Sequence, residues 1–209
     1  MPTHANRPRK FRRLGPDERR RSLIEATLVC LSRFGPHGTG VREICSEADV
    51  SPGLLRHYFD GKDELIVEAF RTVTREFHES VRDILADPAT SAEHRLKDFI
   101  EIYFSAQVTN EERVGTYLAF WTIARTNPAM RRIRRSAYRK QRALLEPVLK
   151  TLADDRGARI DEQRDAISLI ALLDGLWLEM GLDPTAFSRA MAGSMSWAWL
   201  EAYLLGRRP

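Results

Sequence analysis

The sequence predicts an all-α protein of nine helices. Apolar residues recur at i, i+3, i+4 spacing along almost the whole chain, and no stretch alternates as a half-buried strand would. Breakers fall between the periodic runs, among them Gly35-Pro36, Asp60-Gly61, Asp87-Pro88, Asn127-Pro128 and Asp183-Pro184.

The first helix is expected over 17–34, after Gly15-Pro16, with Leu23, Ala26, Thr27, Cys30, Leu31 and Phe34 as its buried stripe. A short helix follows over 41–48, burying Val41, Ile44, Cys45 and Ala48. Asp49-Val50-Ser51 makes a turn in which Ser51 is an N-cap and Pro52 opens the next helix, 52–59. A long helix takes 64–85, and further helices are expected at 91–108, 110–126, 128–155, 161–181 and 184–205. No repeat is visible. The two short helices and their tight turn form a helix-turn-helix. The chain therefore divides into an arm (1–15), a three-helix head (16–65) and a larger helical body (66–209), with the boundary inside the fourth helix.

Charge is unevenly spread. The net charge is +4, and residues 1–62 hold 12 Lys/Arg against 7 Asp/Glu, whereas residues 63–209 hold 21 against 22. The excess positive charge thus lies in the first third, much of it in Arg7, Arg9, Lys10, Arg12 and Arg13 of the arm. Cations placed near phosphates release condensed counterions, so such an arm suits a polyanion better than an acidic or neutral partner.

Several classes are excluded by what is missing. The basic residues 1–14 are followed by no apolar signal core, and the apolar stretch 168–182 is short and interrupted by Asp174 and Glu179. A cytoplasmic protein with no membrane partner is expected. Cys30 and Cys45 are read as small buried hydrophobes rather than a disulfide. Five scattered histidines share no metal-ligand spacing, and no nucleophile elbow, P-loop or dinucleotide fingerprint occurs. No catalytic residue, metal or cofactor is assigned, and an enzyme is the weaker reading. A purely architectural module, its C-terminal helices serving only to dimerise, is the second rival.

The helix-turn-helix carries the sharpest pattern. Ser51, Pro52 and Gly53 are small and allow close approach to a groove, while Leu55 and Phe59, four apart, hold the helix inward. Arg56, His57 and Tyr58 are large polar groups on a short helix, poor economy unless they touch something. The run Val50-Ser51-x-Gly53-x-Leu55-x-x-Tyr58-Phe59-x-x-Lys62-x-x-Leu65 resembles the TetR family of one-component regulators. That resemblance implies base-edge contacts from Arg42, Ser51, Pro52, Gly53, Leu54 and Arg56, and phosphate contacts from His57, Tyr58 and Lys62. Arginine suits guanine O6 and N7 because its fork pairs with both. It further implies a dimer through the last two helices, hence a palindromic operator in double-stranded DNA. Those helices carry Ile167, Ile170, Leu173 and Leu176, then Met191, Met195, Trp197, Trp199, Leu200 and Leu204. One departure is Gly40 where a threonine often caps the second helix; either it or Thr39 caps, with Glu43 placed to complete half a capping box.

Tyr117-Leu-Ala-Phe120-Trp121 and Leu173-Asp174-Gly-Leu-Trp177-Leu-Glu179 resemble the choline-responsive BetI subfamily, as do Asn127-Pro128 and His57-Tyr58-Phe59. A quaternary ammonium donates no strong hydrogen bond, so proteins hold it with aromatic faces and a carboxylate. Tyr103, Phe104, Tyr117, Phe120, Trp121 and Trp177 supply the aromatics, and Asp174 or Glu179 the charge. Aromatics at helical spacing are more often core, and Trp121 alone stands evenly between core and cage. Asp174 is the more telling residue, since a carboxylate among leucines must find a partner.

Overall fold

The computed structural model describes residues 15–205. Residues 1–14 of the arm and residues 206–209 fall outside the described residues. Among the described residues the protein is helical and without strands, with nine helices of seven or more residues and one single turn. They are α1 (Pro16–Gly38), α2 (Val41–Glu47), α3 (Pro52–Tyr58), α4 (Lys62–Leu85), α5 (Ala92–Tyr103), α6 (Ala106–Thr109), α7 (Glu111–Ala124), α8 (Pro128–Asp155), α9 (Glu162–Leu182) and α10 (Arg189–Leu205).

Three boundaries differ from the sequence expectation, each for a local reason. Helical residues continue past Phe34 to Gly38, but across a break at Gly35, whose φ of 63° lies in the left-handed region that glycine enters without strain. The expected helix 91–108 divides into α5 and α6. Phe99, Tyr103 and Phe104 are all buried, and adjacent positions on a helix point about 100° apart, so the chain turns at Phe104 to bury both rings. The last helix begins at Arg189 rather than Pro184. Asp183 Oδ1 accepts from the Thr185 amide at 2.9 Å and Ser188 Oγ from the Met191 amide at 3.1 Å, which moves the cap from Asp183 to Ser188.

Two apolar cores are joined by α7. The head core packs Leu23, Leu31, Ile44, Leu55, Phe59 and Phe70 around the helix-turn-helix, and it also takes in Phe120 from α7 and Met130 from α8. The body core gathers Leu96, Phe99, Leu145, Leu149, Leu169 and Leu173 from α5, α8 and α9. Helix α7 lies against α1 so closely that a Cβ on Gly115 would sit 3.1 Å from the Ser32 carbonyl and 3.2 Å from its Cα. Thr116 Oγ1, already bonded to Glu112 O at 2.8 Å, also lies 3.2 Å from Leu28 O of α1. Its other side is as tight: a Cβ on Gly181 of α9 would meet Val114 Cγ1 at 2.7 Å. The head is held on a wedge rather than hung from a linker.

On the last two helices, Ile170, Leu173 and Leu200 point into the body, whereas Ile167, Met191 and Met195 are exposed. No described helix is long and apolar enough to cross a membrane.

Candidate functional site: the recognition helix and the aromatic cavity

Helix α3 owes its start to Ser51, whose Oγ accepts from the Leu54 amide at 3.2 Å, and to Pro52 at its first position. The turn before it needs a left-handed residue, supplied by Asp49 at φ 53°. Leu55 and Phe59 anchor the helix, with the Arg20 guanidinium 4.7 Å above the Phe59 ring. That leaves Ser51, Pro52, Gly53, Arg56 and His57 exposed together, with Leu54 and Tyr58 half-buried at the edge. Arg42 is exposed on α2, and Lys62 opens α4. The His57 and Tyr58 rings meet edge to face, 5.1 Å apart. Gly40 is the N-cap of α2, while Thr39 is fully buried and gives its hydroxyl to Gly35 O at 2.8 Å. Thr39 therefore has no free face for a phosphate.

The second site is a cavity of about 80 Å³ lined by α4, α5, α6, α7, α8 and α9. At roughly 10–15 Å³ per water-sized centre, that is room for about six such groups. Of the residues assigned from the sequence, Tyr103, Tyr117, Trp121, Asp174 and Trp177 line it. Trp177 is central: Tyr117 and Trp121 meet it edge to face at 5.6 and 5.5 Å, and its Nε1 donates to Val108 O at 3.1 Å. Phe77 and Tyr103 meet the same way at 5.3 Å, and Gln141 Nε2 donates to the Tyr103 hydroxyl at 2.6 Å.

Three sequence assignments are corrected. Phe120 does not line the cavity; it is fully buried in the head core, 4.9 Å from Phe70. Position 120 points away from Trp121 because neighbours on a helix face different ways. Phe104 is buried outside the cavity, and Glu179 is exposed. Conversely, sequence reasoning missed Phe77, Tyr138, Gln141 and Arg134, all on the wall. The one sequence signal for Tyr138 is that it is the single aromatic residue between 128 and 155, set in a run of cations.

Asp174 is the half-buried carboxylate of this cavity. Tyr138 donates to its Oδ2 at 2.6 Å, and Arg134 stacks over the Tyr138 ring at 4.6 Å. Burial pushes the Asp174 carboxyl above its ordinary value, against the pull of the Tyr138 hydroxyl and the nearby Arg134 charge. Burial likewise pushes the Tyr117 phenol up to about 12 and raises Tyr103 and Tyr138, so these hydroxyls stay protonated at neutral pH. The cavity thus offers electron-rich rings and one carboxylate, a set that can surround a cation.

Residues 92–205 match the profile of the BetI-type transcriptional repressor C-terminal domain, and residues 23–69 that of the tetR family of bacterial regulatory proteins. The chain belongs to the TetR family, and within it to the BetI-type transcriptional repressors. The BetI regulator of Vibrio vulnificus is 30% identical over 90% of this chain and 94% of its own length. A protein of Pseudomonas aeruginosa PAO1, described with its crystal structure as a transcriptional regulator, is 42% identical. That match covers 96% of this chain and 97% of the other, with a TM-score of 0.84. A regulator of Saccharomonospora viridis, solved in complex with choline, shares the fold at a TM-score of 0.79 and 22% identity, over 88% of this chain and 96% of its own. Regulators of the TetR family bind operator DNA and small molecules, typically as dimers, and are not enzymes.

Proposed function

We propose that this BetI-type protein is a dimeric repressor of choline or glycine-betaine metabolism, released from a palindromic operator by choline or a related quaternary ammonium. The carrying observation is the cavity in which Tyr117, Trp121 and Trp177 meet edge to face beside the half-buried Asp174. The choline held by the Saccharomonospora relative supports the same ligand class.

On the DNA side, Arg42, Ser51, Pro52, Gly53, Leu54 and Arg56 address base edges, and His57, Tyr58 and Lys62 the phosphates. Gly53 supports this: an added Cβ would meet only Ser51 Oγ, at 3.8 Å, so no described residue demands a glycine there. A glycine there leaves the backbone open to close approach by a groove. The exposed Ile167, Met191 and Met195 of α9 and α10 supply the dimer face, and the unit of function divides as head (16–65) and sensor body (66–209). Ligand in the cavity presses on Tyr117 and Trp121 of α7, whose Gly115 rests on α1, and through α1 alters the spacing of the two recognition helices.

Calorimetry against choline and its uncharged isostere 3,3-dimethylbutanol tests the reading. Choline binding with heat, lost in Trp121→Ala, is expected, and equal affinity for the two compounds overturns the cation cage.

A further inference from the structure

The α4 wall of the cavity carries two polar atoms that the fold does not use. Thr74 and His78 both line the cavity, and Thr74 Oγ1 and His78 Nδ1 are shut off from water without a hydrogen-bond partner among the described residues. Such orphans are rare, because each forfeits the hydrogen bonds it made in water. Thr74 also departs from other threonines of this chain. Thr27, Thr116, Thr122 and Thr151 each give their hydroxyl to the carbonyl four residues back, at 2.8–3.0 Å. Thr74 lies inside α4 with the Phe70 carbonyl four residues back, and its hydroxyl does not take that bond.

The two residues stand one turn apart on α4, where side chains at i and i+4 share a face with Cβ atoms about 5–6 Å apart. One oxygen placed between them comes within hydrogen-bond reach of both. Burial first, then the charges of Lys140 and Arg82, push the His78 imidazole below its ordinary value, against the pull of Glu79, so it is neutral at physiological pH. A neutral imidazole can share a cavity with a cation, whereas a charged one would repel it. Trp121, Trp177 and Asp174 answer that cation, which leaves these two groups for the ligand's other end. A hydroxyl suits them. It both donates and accepts, so it pairs with the Thr74 hydroxyl and with either tautomer of His78. A carboxylate only accepts, and it would bring a second anion into the cavity that holds Asp174.

We infer that Thr74 and His78 select the ligand by a neutral hydroxyl on its uncharged end, which makes that ligand an alcohol as well as a quaternary ammonium. The inference rests on the cation reading above and adds the residues that read the other end of the molecule.

The test is calorimetry on the full-length protein with choline and with propyltrimethylammonium, in which a methyl replaces the hydroxyl. Choline is expected to bind about tenfold more tightly, the worth of one pairing that ends the isolation of two buried groups. Thr74→Val and His78→Phe should each shrink that preference, their double variant should erase it, and Thr74→Ser should keep it. Propyltrimethylammonium should bind all of these about as it binds the natural protein. Thr74→Val should also leave the thermal midpoint of the ligand-free protein unchanged or raised, because the hydroxyl it removes has no partner to lose. A clear fall in that midpoint would mean that the hydroxyl serves the fold, and would overturn its role here. Equal affinity for the two compounds in the natural protein, or a preference that the double variant retains, overturns the pair and leaves the cation cage standing. If neither compound binds, the cation cage itself is wrong, and this inference falls with it.

Discussion

The head and the cavity are built on opposite plans. Every residue assigned to DNA on α3 lies in one run, Ser51 to Tyr58, and one short helix displays it. The cavity borrows from six helices, and none of them is a site alone. A run of neighbours on one helix is legible from sequence, because helical period alone decides which side chains face out. A site assembled by tertiary packing is legible only where one residue is anomalous in its own segment, as Asp174 is.

Phe120 and Trp121 put that comparison on adjacent residues of one helix. Phe120→Ala opens a hole in the head core and should destabilise the protein by about 3–5 kcal/mol, read by denaturant unfolding. Trp121→Ala, on a half-buried cavity side chain, should cost clearly less while abolishing ligand binding. Equal losses of stability would mean that the two cores are not distinct.

The same pair marks where sequence reasoning stopped. Both were assigned to the ligand, since both are aromatic and both sit in the stretch similar to BetI. Only packing reveals that α7 is a wedge with one face for each core, buried by Gly115 and Phe120 on one side and by Tyr117 and Trp121 on the other. Tyr138 and Arg134 stayed hidden in a run of cations that reads as a solvated face. In contrast, the caps at Ser51-Pro52 and Asn127-Pro128 placed helix starts well, and Asp183-Pro184 the end of α9, because capping is decided within four residues. The turn at Phe104 was missed because its cause is the burial of two adjacent rings in a core made by other helices.

Smaller effects sharpen the contrast further. Gly115→Ala forces a methyl onto the Ser32 backbone and should cost about 1–3 kcal/mol as α1 and α7 part. Ligand affinity should survive this change better than ligand-driven release of DNA, measured by titration and gel shift on one preparation. In the head, Arg56→Ala should cost about 1–3 kcal/mol and relax preference at a single operator position. Lys62→Ala should weaken all sequences alike and lower the salt slope by about 1.

Asp174 gives a signed pH test. Its carboxyl titrates above the ordinary aspartate range because burial penalises the charge, so folding is favoured with the group protonated and loses that favour as pH rises through the raised value. Asp174→Asn should therefore raise the thermal midpoint of the ligand-free protein at neutral pH and bring no gain below about pH 4, where both states of the natural residue are protonated. Ligand affinity runs the other way: it needs the carboxylate, and it should fall as the pH drops through the same titration.

The proposed switch is a cation in the aromatic cavity that loosens the hold of the recognition helices on DNA. The direct measurement is operator affinity, by fluorescence anisotropy at one salt concentration, with no ligand, with saturating choline and with saturating 3,3-dimethylbutanol, for the natural protein and Trp121→Ala. A coupling of about 1–3 kcal/mol predicts that choline weakens operator binding some five- to a hundredfold in the natural protein, while the isostere leaves it unchanged and Trp121→Ala responds to neither. Release by both compounds alike, or by choline in Trp121→Ala as in the natural protein, would contradict it.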